Sequence, residues 1–330
     1  MSQDRPNRPR YAARLNAFKL AAGQPERPNV ADMIRAAGKV GGLDAADVNY
    51  PDHFTAHSAT ELARLLGDEG MAVNGLAMRY YTDPGFRLGA FTHPDPKIRR
   101  SAIDLTRRGI DAAAEMGAGL MTLWLGQDGT DYSFQGDYAR MWDDTVTALT
   151  EVAAHDPDVA IAVEYKPNEP RAYALLPDMA TTLLALRDAG SANLGVTLDF
   201  AHSLYAGEIP ARAARLAARH SRLLGVHLND GYGKRDDGLI SGSVHPAQTV
   251  ELFVELERAG YDGVIYFDTF PDMGGLDPIA EARANIELTE RLRQIAAGLA
   301  GDPALAEALA RQDAAASQRI VAGALYGGGA

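Results

Sequence analysis

The feature that most constrains this chain is a repeat: short apolar runs alternate with longer amphipathic ones along most of its length. The short runs are Leu15–Leu20, Ala46–Tyr50, Met71–Met78, Leu120–Leu125, Val159–Tyr165, Leu194–Phe200, Leu223–Leu228 and Val264–Asp268, eight in all. Their length and apolar character read as buried strands. Between them lie stretches with helical spacing: Val30–Lys39, Ala59–Glu69, Lys97–Met116, Gly136–Ala154, Asp178–Ala189, Pro210–Ser221, Ala247–Ala259 and Pro278–Leu299. Punctuation agrees. Asp95-Pro96 supplies a cap and a first-turn proline, Gly117 follows that helix, and Gly260 ends the one opening at His245-Pro246. Alternation at intervals of roughly 30–45 residues implies a parallel sheet. Eight units predict closure as an α/β (β/α)8 TIM barrel. The open, doubly wound sheet is the rival, but no G-x-G-x-x-G follows the first strand.

On this reading residues 1–14 form an N-terminal arm, 15–300 the barrel, and 301–330 a C-terminal helical extension. The extension has an Ala-rich helical stretch, Pro303–Ala315, then Gly327-Gly328-Gly329, which reads as a mobile end. It is either an oligomerisation arm or a frayed tail, and a homo-oligomer, dimer or tetramer, is the expectation. A net charge of −12 disfavours nucleic acid or an anionic membrane as partner. The absence of cysteine leaves carboxylate and imidazole as the ligands for any metal. No apolar run is long enough to span a bilayer, and Met1–Arg10 has no apolar core of a secretion signal, so a cytoplasmic setting is expected.

Barrel enzymes keep their chemistry at the C-terminal ends of the strands. The fifth run ends in V-E-Y-K-P-N-E-P, where Glu164 and Lys166 lie two apart and so point to one face of an extended strand. The sixth supplies Asp199 in T-L-D-F-A-H, the seventh His227 in V-H-L-N-D, and the eighth Asp268 in Y-F-D-T-F. Singly, each acid could be a hydrogen-bonded structural group and His227 a core histidine. Together, four such residues on consecutive strand ends point to a metal centre. Three carboxylates and an imidazole suit Mn²⁺ best, then Mg²⁺ or Co²⁺, and Zn²⁺ less well. A divalent ion also removes the mutual repulsion of converging acids. His202, three residues past Asp199, and Asp236 in the long loop after the seventh strand suggest a second, weaker ion sharing Glu164. The alternative is that Asp236-Asp237 is a solvated turn and His202 bonds substrate.

With these residues placed, the sequence resembles the xylose-isomerase-like barrel superfamily, and within it bacterial L-rhamnose isomerases. The resemblance rests on T-H-P-D-P-K-I-R (Thr92–Arg99), L-W-L-G-Q-D-G-T-D-Y (Leu123–Tyr132), V-E-Y-K-P-N-E-P, L-D-F-A-H, V-H-L-N-D and the Asp236-Asp237 loop. It implies that Glu164, Asp199, His227 and Asp268 hold a tight metal, that His202 and Asp236 serve a second one, and that Lys166 and Trp124 contact substrate. Gly238 stands where a third acid would follow Asp236-Asp237.

The expected reaction is aldose–ketose isomerisation of a small unphosphorylated sugar, with Lys166, His202 and Asp236 as catalytic groups. Lys166 would donate to the sugar oxygen on which negative charge develops; its bland role is an ion pair with Glu164 or Glu169. Trp124 would be a flat wall for sugar C–H faces or simply core. His53, in N-Y-P-D-H-F, would bond a sugar hydroxyl or serve as acid/base in ring opening. Two rivals remain: a ketose 3-epimerase, which looks for glutamates on the fifth and eighth strands, and a multi-zinc phosphodiesterase of the endonuclease type, disfavoured by charge and by the lack of further histidines.

Overall fold

The computed structural model describes residues 8–327. Eight strands close into a parallel barrel, which we number in chain order: β1 Tyr11–Arg14, β2 Ala45–Tyr50, β3 Ala72–Met78, β4 Leu120–Trp124, β5 Ala160–Glu164, β6 Leu194–Asp199, β7 Leu223–Leu228 and β8 Ile265–Phe267. Each strand pairs with its neighbours in sequence, and β1 pairs with both β2 and β8 to close the ring. The expected (β/α)8 barrel is therefore the fold. Its outer layer is α1 Val30–Gly38, α2 Ala59–Asp68, α3 Pro96–Glu115, α4 Tyr138–Ala153, α5 Met179–Ala189, α6 Pro210–His220, α7 Pro246–Ala259 and α8 Pro278–Ala300.

Helix starts follow from capping chemistry. Asn29 and Ser58 form reciprocal capping boxes with Asp32 and Glu61, while Asp95, Asp137, Asp178 and Asp277 accept backbone N–H groups in the first turns of α3, α4, α5 and α8. The core is one large cluster between barrel and helices, including Ile110, Met121, Ile161, Val196, Phe200 and Leu252. Among the described residues no helix is long and apolar enough to cross a membrane.

Two sequence expectations need correction. Leu15–Leu20 is not the first strand but a 3₁₀ helix, and the strand lies just before it, at Tyr11–Arg14. In L-N-A-F-K-L the buried Leu15 and Phe18 are three apart, the period of a 3₁₀ turn, whereas Tyr11, Ala12 and Ala13 are the residues in register with β8. The barrel thus begins inside the segment read as an arm. The C-terminal extension is two helices, α9 Pro303–Ala310 and α10 Ala314–Tyr326, because Asp313 caps a new start. Gly328 and Gly329 of the expected mobile end lie outside the described residues.

Candidate active site and metal centre

The β5–β8 ends converge at the barrel mouth. Glu164 and Asp199 are the last residues of β5 and β6, Asp199 is in register with His227, and Asp268 follows β8 directly. One ligand atom from each of Glu164, Asp199, His227 and Asp268 lies within 4.8 Å of the others, with the first three buried. His227 Nδ1 is 3.5 Å from Glu164 Oε1 and is buried without a hydrogen-bond partner. Three carboxylates and an imidazole with an unmet nitrogen fit a hard divalent cation. The four expected ligands are together.

The surroundings hold this set in place. Asp199 caps the one-turn helix Phe200–Tyr205, accepting from His202 N at 2.9 Å, which folds His202 back toward the strand end. Asn229, two residues past His227, donates to both Asp199 oxygens at 3.2 and 3.0 Å and to the Asp268 carbonyl at 3.2 Å. It ties two ligand strands together and was not anticipated from sequence. Burial, reinforced by Asp236, Glu164 and Asp268 against the pull of His202, pushes Asp199 up to about 7. Burial would depress His227 and His202, but the surrounding acids, Glu164 first for His227 and Asp199 first for His202, raise them to about 9 and about 10. A cluster whose charges distort one another this way is the setting in which a bound cation is stabilising.

Of the two expected partners of Lys166, Glu164 and Glu169, the structure pairs it with Glu169. β5 ends at Glu164, so strand alternation does not carry on to Lys166, whose Nζ pairs with Glu169 Oε2 at 3.0 Å and Asp236 Oδ2 at 3.1 Å. Burial opposes its charge, yet Asp236 and Glu169 raise its pKa. Glu169 takes a left-handed backbone conformation, φ 67°, rare for a residue with a side chain and a form of strain found at functional sites. Asp236 Oδ2 also meets His202 Nε2 at 3.2 Å, and Asp236 Oδ1 is buried without a partner. Lys166, Asp236 and His202 thus form a relay beside the metal ligands.

The loop carrying Asp236 is pinned on both sides. Asp237 accepts from Tyr232 N at 2.8 Å, Asp230 and Leu239 bridge, and the Gly238 carbonyl accepts from Phe270 N at 2.9 Å. Gly238 has φ +58°, and a Cβ there would run into the Phe270 ring, which is why no third acid can stand at this position.

Glu164, His227 and Asp268 of the four ligands, with Lys166, Glu169, His202 and Asp236, line one cavity of about 380 Å³, a volume in the range of small-molecule sites. Trp124 lines it too, with Lys166 Nζ 5.3 Å from its ring centroid. His53 does not. The 3₁₀ turn Asp52–Phe54 turns its ring back under β2, where Nδ1 accepts from Asn49 N at 3.1 Å and Nε2 meets Asn16 Oδ1 at 3.1 Å. Burial pushes His53 down to about 3, so it is neutral and away from any sugar. Its place on the second strand's side of the cavity is taken by Asn49 and Asp47, the latter raised to about 6 by burial. Arg14, Arg79, Tyr81 and Tyr266 line the cavity as well and were also unanticipated.

A family model described as xylose isomerase-like TIM barrel matches residues 34–292, most of the barrel. The chain belongs to that family. Within the xylose isomerase-like family, it is 30% identical over 253 residues to a xylose isomerase of Thermus thermophilus, a match covering 72% of this chain and 65% of that relative. It therefore spans somewhat under two thirds of that relative's length. Among solved structures it is similar to a D-tagatose 3-epimerase-like protein, with TM-score 0.69, 17% identity and coverage of 86% and 98% of the two chains. It is also similar to an L-ribulose 3-epimerase, with TM-score 0.68, 18% identity and coverage of 90% and 99%. These likenesses bear out the barrel.

Proposed function

We propose that the protein is a metal-dependent isomerase that interconverts aldose and ketose forms of a small unphosphorylated sugar. The observation carrying this reading is one cavity lined by Glu164, His227 and Asp268 of the four-ligand cluster and by a buried, charged Lys166 beside them. Similarity to a xylose isomerase supports the same reaction class. Glu164, Asp199, His227 and Asp268 would hold Mn²⁺ most readily, with Mg²⁺, Co²⁺ or Zn²⁺ as alternatives. Such an ion supplies Lewis acidity toward the sugar's carbonyl and neighbouring hydroxyl oxygens. The protein's own groups do the rest. Lys166 donates to the oxygen that gains negative charge between C1 and C2. His202 and Asp236 hold the proton that this oxygen exchanges. Trp124 covers the sugar's C–H face and excludes water. His202 and Asp236 would hold a second, weaker ion, a role supported by Asp236 Oδ1 being buried without a partner, and that ion would compete with Lys166 for the carboxylate.

A ketose 3-epimerase is the second reading, favoured by carboxylates from β5 and β8 reaching the same centre. The two differ in product: isomerisation moves the carbonyl between C1 and C2, while epimerisation leaves it in place and inverts C3. Incubating unphosphorylated tetroses to hexoses, L-rhamnose included, with the protein and Mn²⁺ or Co²⁺ and reading products by ¹³C NMR distinguishes them. Inversion at C3 alone would overturn the isomerase reading. The multi-zinc phosphodiesterase lacks support, since His202 and His227 are the histidines at the cavity among the described residues. The proposal includes a cytoplasmic setting and a homo-oligomer, dimer or tetramer. In α10 no residue is fully buried, and Ile320, Val321 and Leu325 are half-buried against the core; if the segment is the assembly arm, deleting residues 301–330 should lower the solution mass to that of a monomer.

A further inference from the structure

We infer that the sugar carries a carboxylate at the end remote from the metal, and that Arg79 binds it. This rests on the sugar reading of the same cavity and names the class of sugar.

The cavity has four lysine and arginine side chains, and three are already matched. Arg14 lies 3.8 Å from Asp268 and 3.7 Å from Asp272, Lys166 pairs with Glu169 and Asp236, and Arg235 meets Asp237 at 2.8 Å. Arg79 makes no ion pair with any described residue. Its half-buried guanidinium stacks on Tyr81, 4.6 Å from the ring centroid, and its Nε is buried without a hydrogen-bond partner. Withdrawing such a group from water without a counter-charge costs free energy that stacking only partly offsets. Unmet buried donors recur on the same wall: Trp124 Nε1 and Thr122 Oγ1 also lack partners. A wall of unmet donors calls for an acceptor-rich, negatively charged ligand.

Topology fixes where that ligand's charge sits. The metal ligands come from four consecutive strands, β5 to β8, and β3, which Arg79 follows, stands across the ring from them. The Arg79 backbone is held there by its N–H to the Tyr50 carbonyl at 2.9 Å. Along the wall from Lys166 to Arg79 runs a ladder of rings, Trp124 and Tyr81, with centroids 5.1 Å apart. A sugar with C1 and C2 beside Lys166 and the metal ligands lies along these rings and brings its far end to Arg79. One planar guanidinium matches one carboxylate in a two-bond fork. A phosphate dianion would ask for more positive charge than this wall holds free.

The test is calorimetric binding of hexuronates and of neutral hexoses of matched configuration to the Mn²⁺-loaded protein, at low and at high salt. At least one uronate should bind roughly tenfold or more tightly than its neutral counterpart, and salt should narrow the gap. Arg79→Met should abolish that preference, Arg79→Lys should retain part of it, and thermal unfolding of Arg79→Met should be unchanged or raised, because the arginine has no counter-charge among the described residues and methionine keeps an apolar contact with Tyr81. Uronates binding no better than neutral sugars, a sugar phosphate preferred over every uronate, or a preference that survives in Arg79→Met would each overturn the inference. Turnover keeps the two readings apart. Neutral sugars isomerised as well as acidic ones would remove the anion site and leave the isomerase, whereas uronate preference without turnover would remove the isomerase and leave the anion site.

Discussion

The two halves of the barrel mouth are built on different rules. The β5–β8 arc presents acids and imidazoles that crowd one another, so that burial and like charge lift Asp199 to about 7 while acids hold His202 and His227 protonated. The facing β1–β4 arc presents Arg14, Asn49, Arg79, Tyr81 and Trp124, with Asp47 as its carboxylate at the cavity. One arc is frustrated without a cation and the other is short of acceptors. The contrast shows a site divided between a half that suits metal and reacting oxygens and a half that suits the rest of the ligand.

The largest expected effect breaks the first half outright. Glu164→Ala removes the carboxylate that lies beside both His227 and His202, at 3.5 Å from each. Metal affinity should fall by more than about 100-fold, beyond the loss usual for outer-shell changes, and turnover should vanish with it. Stoichiometric Mn²⁺ in the purified variant, read by elemental analysis, would contradict the centre. Lys166→Met comes next. It should lower kcat by about 10²–10³-fold, the scale for losing one donor to a developing oxyanion, while metal content stays intact. Equal losses of both would make Lys166 a structural ion pair.

The two arcs were also unequally legible. Acids at strand ends stand out after apolar runs, so Glu164, Asp199, His227 and Asp268 could be placed from V-E-Y-K, T-L-D-F, V-H-L and Y-F-D, and the structure brings all four together. The facing arc hid for physical reasons. β1 is four residues, Y-A-A-R, with no alternation to betray it, so Arg14 was lost inside an apparent arm. Asp47 and Asn49 sit two apart within A-A-D-V-N-Y, and Arg79 and Tyr81 two apart after β3. The two-residue period that singled out Glu164 and Lys166 marks these pairs equally, and polar residues alternating inside an apolar strand were the missed signal. His53 misled in the opposite sense. Proximity to a strand end suggested a cavity residue, but a 3₁₀ turn reverses its ring. Other motif residues serve the fold: Asp128 of L-W-L-G-Q-D is buried and accepts from Ala90 N, Thr92 N and Thr92 Oγ1 at 2.7–3.0 Å, joining the Leu123–Tyr132 and Thr92–Arg99 stretches by structure rather than chemistry.

A subtler change sharpens the comparison from behind the ligands. Asn229→Ala leaves every proposed ligand in place but removes the amide shared by Asp199 and the Asp268 carbonyl. Metal affinity should drop about 10–100-fold, the usual effect of losing an outer-shell partner, with little change in which sugar is preferred. If sugar preference moved while metal affinity held, the division between the arcs would be wrong.

The smallest effect belongs to the facing arc and reads out as stability. His53 is driven from an ordinary 6.5 to about 3 by burial, with Arg79 and Lys19 adding to it. A histidine depressed in the folded state takes up its proton more readily when unfolded. Its neutral, buried form therefore contributes fully above pH 6.5, and that contribution is lost as pH falls from 6.5 toward 3. His53→Gln forfeits its bonds to Asn49 and Asn16, and at neutral pH should cost about 1–2 kcal/mol. Below pH 6.5 the gap to the parent protein should narrow, because the glutamine has no proton to gain. Urea unfolding at pH 7 and pH 4.5 measures both gaps. A gap that stays constant would mean that His53 titrates normally in the folded protein, and that the wall beneath Asn49 is wetter and less fixed than the metal side it faces.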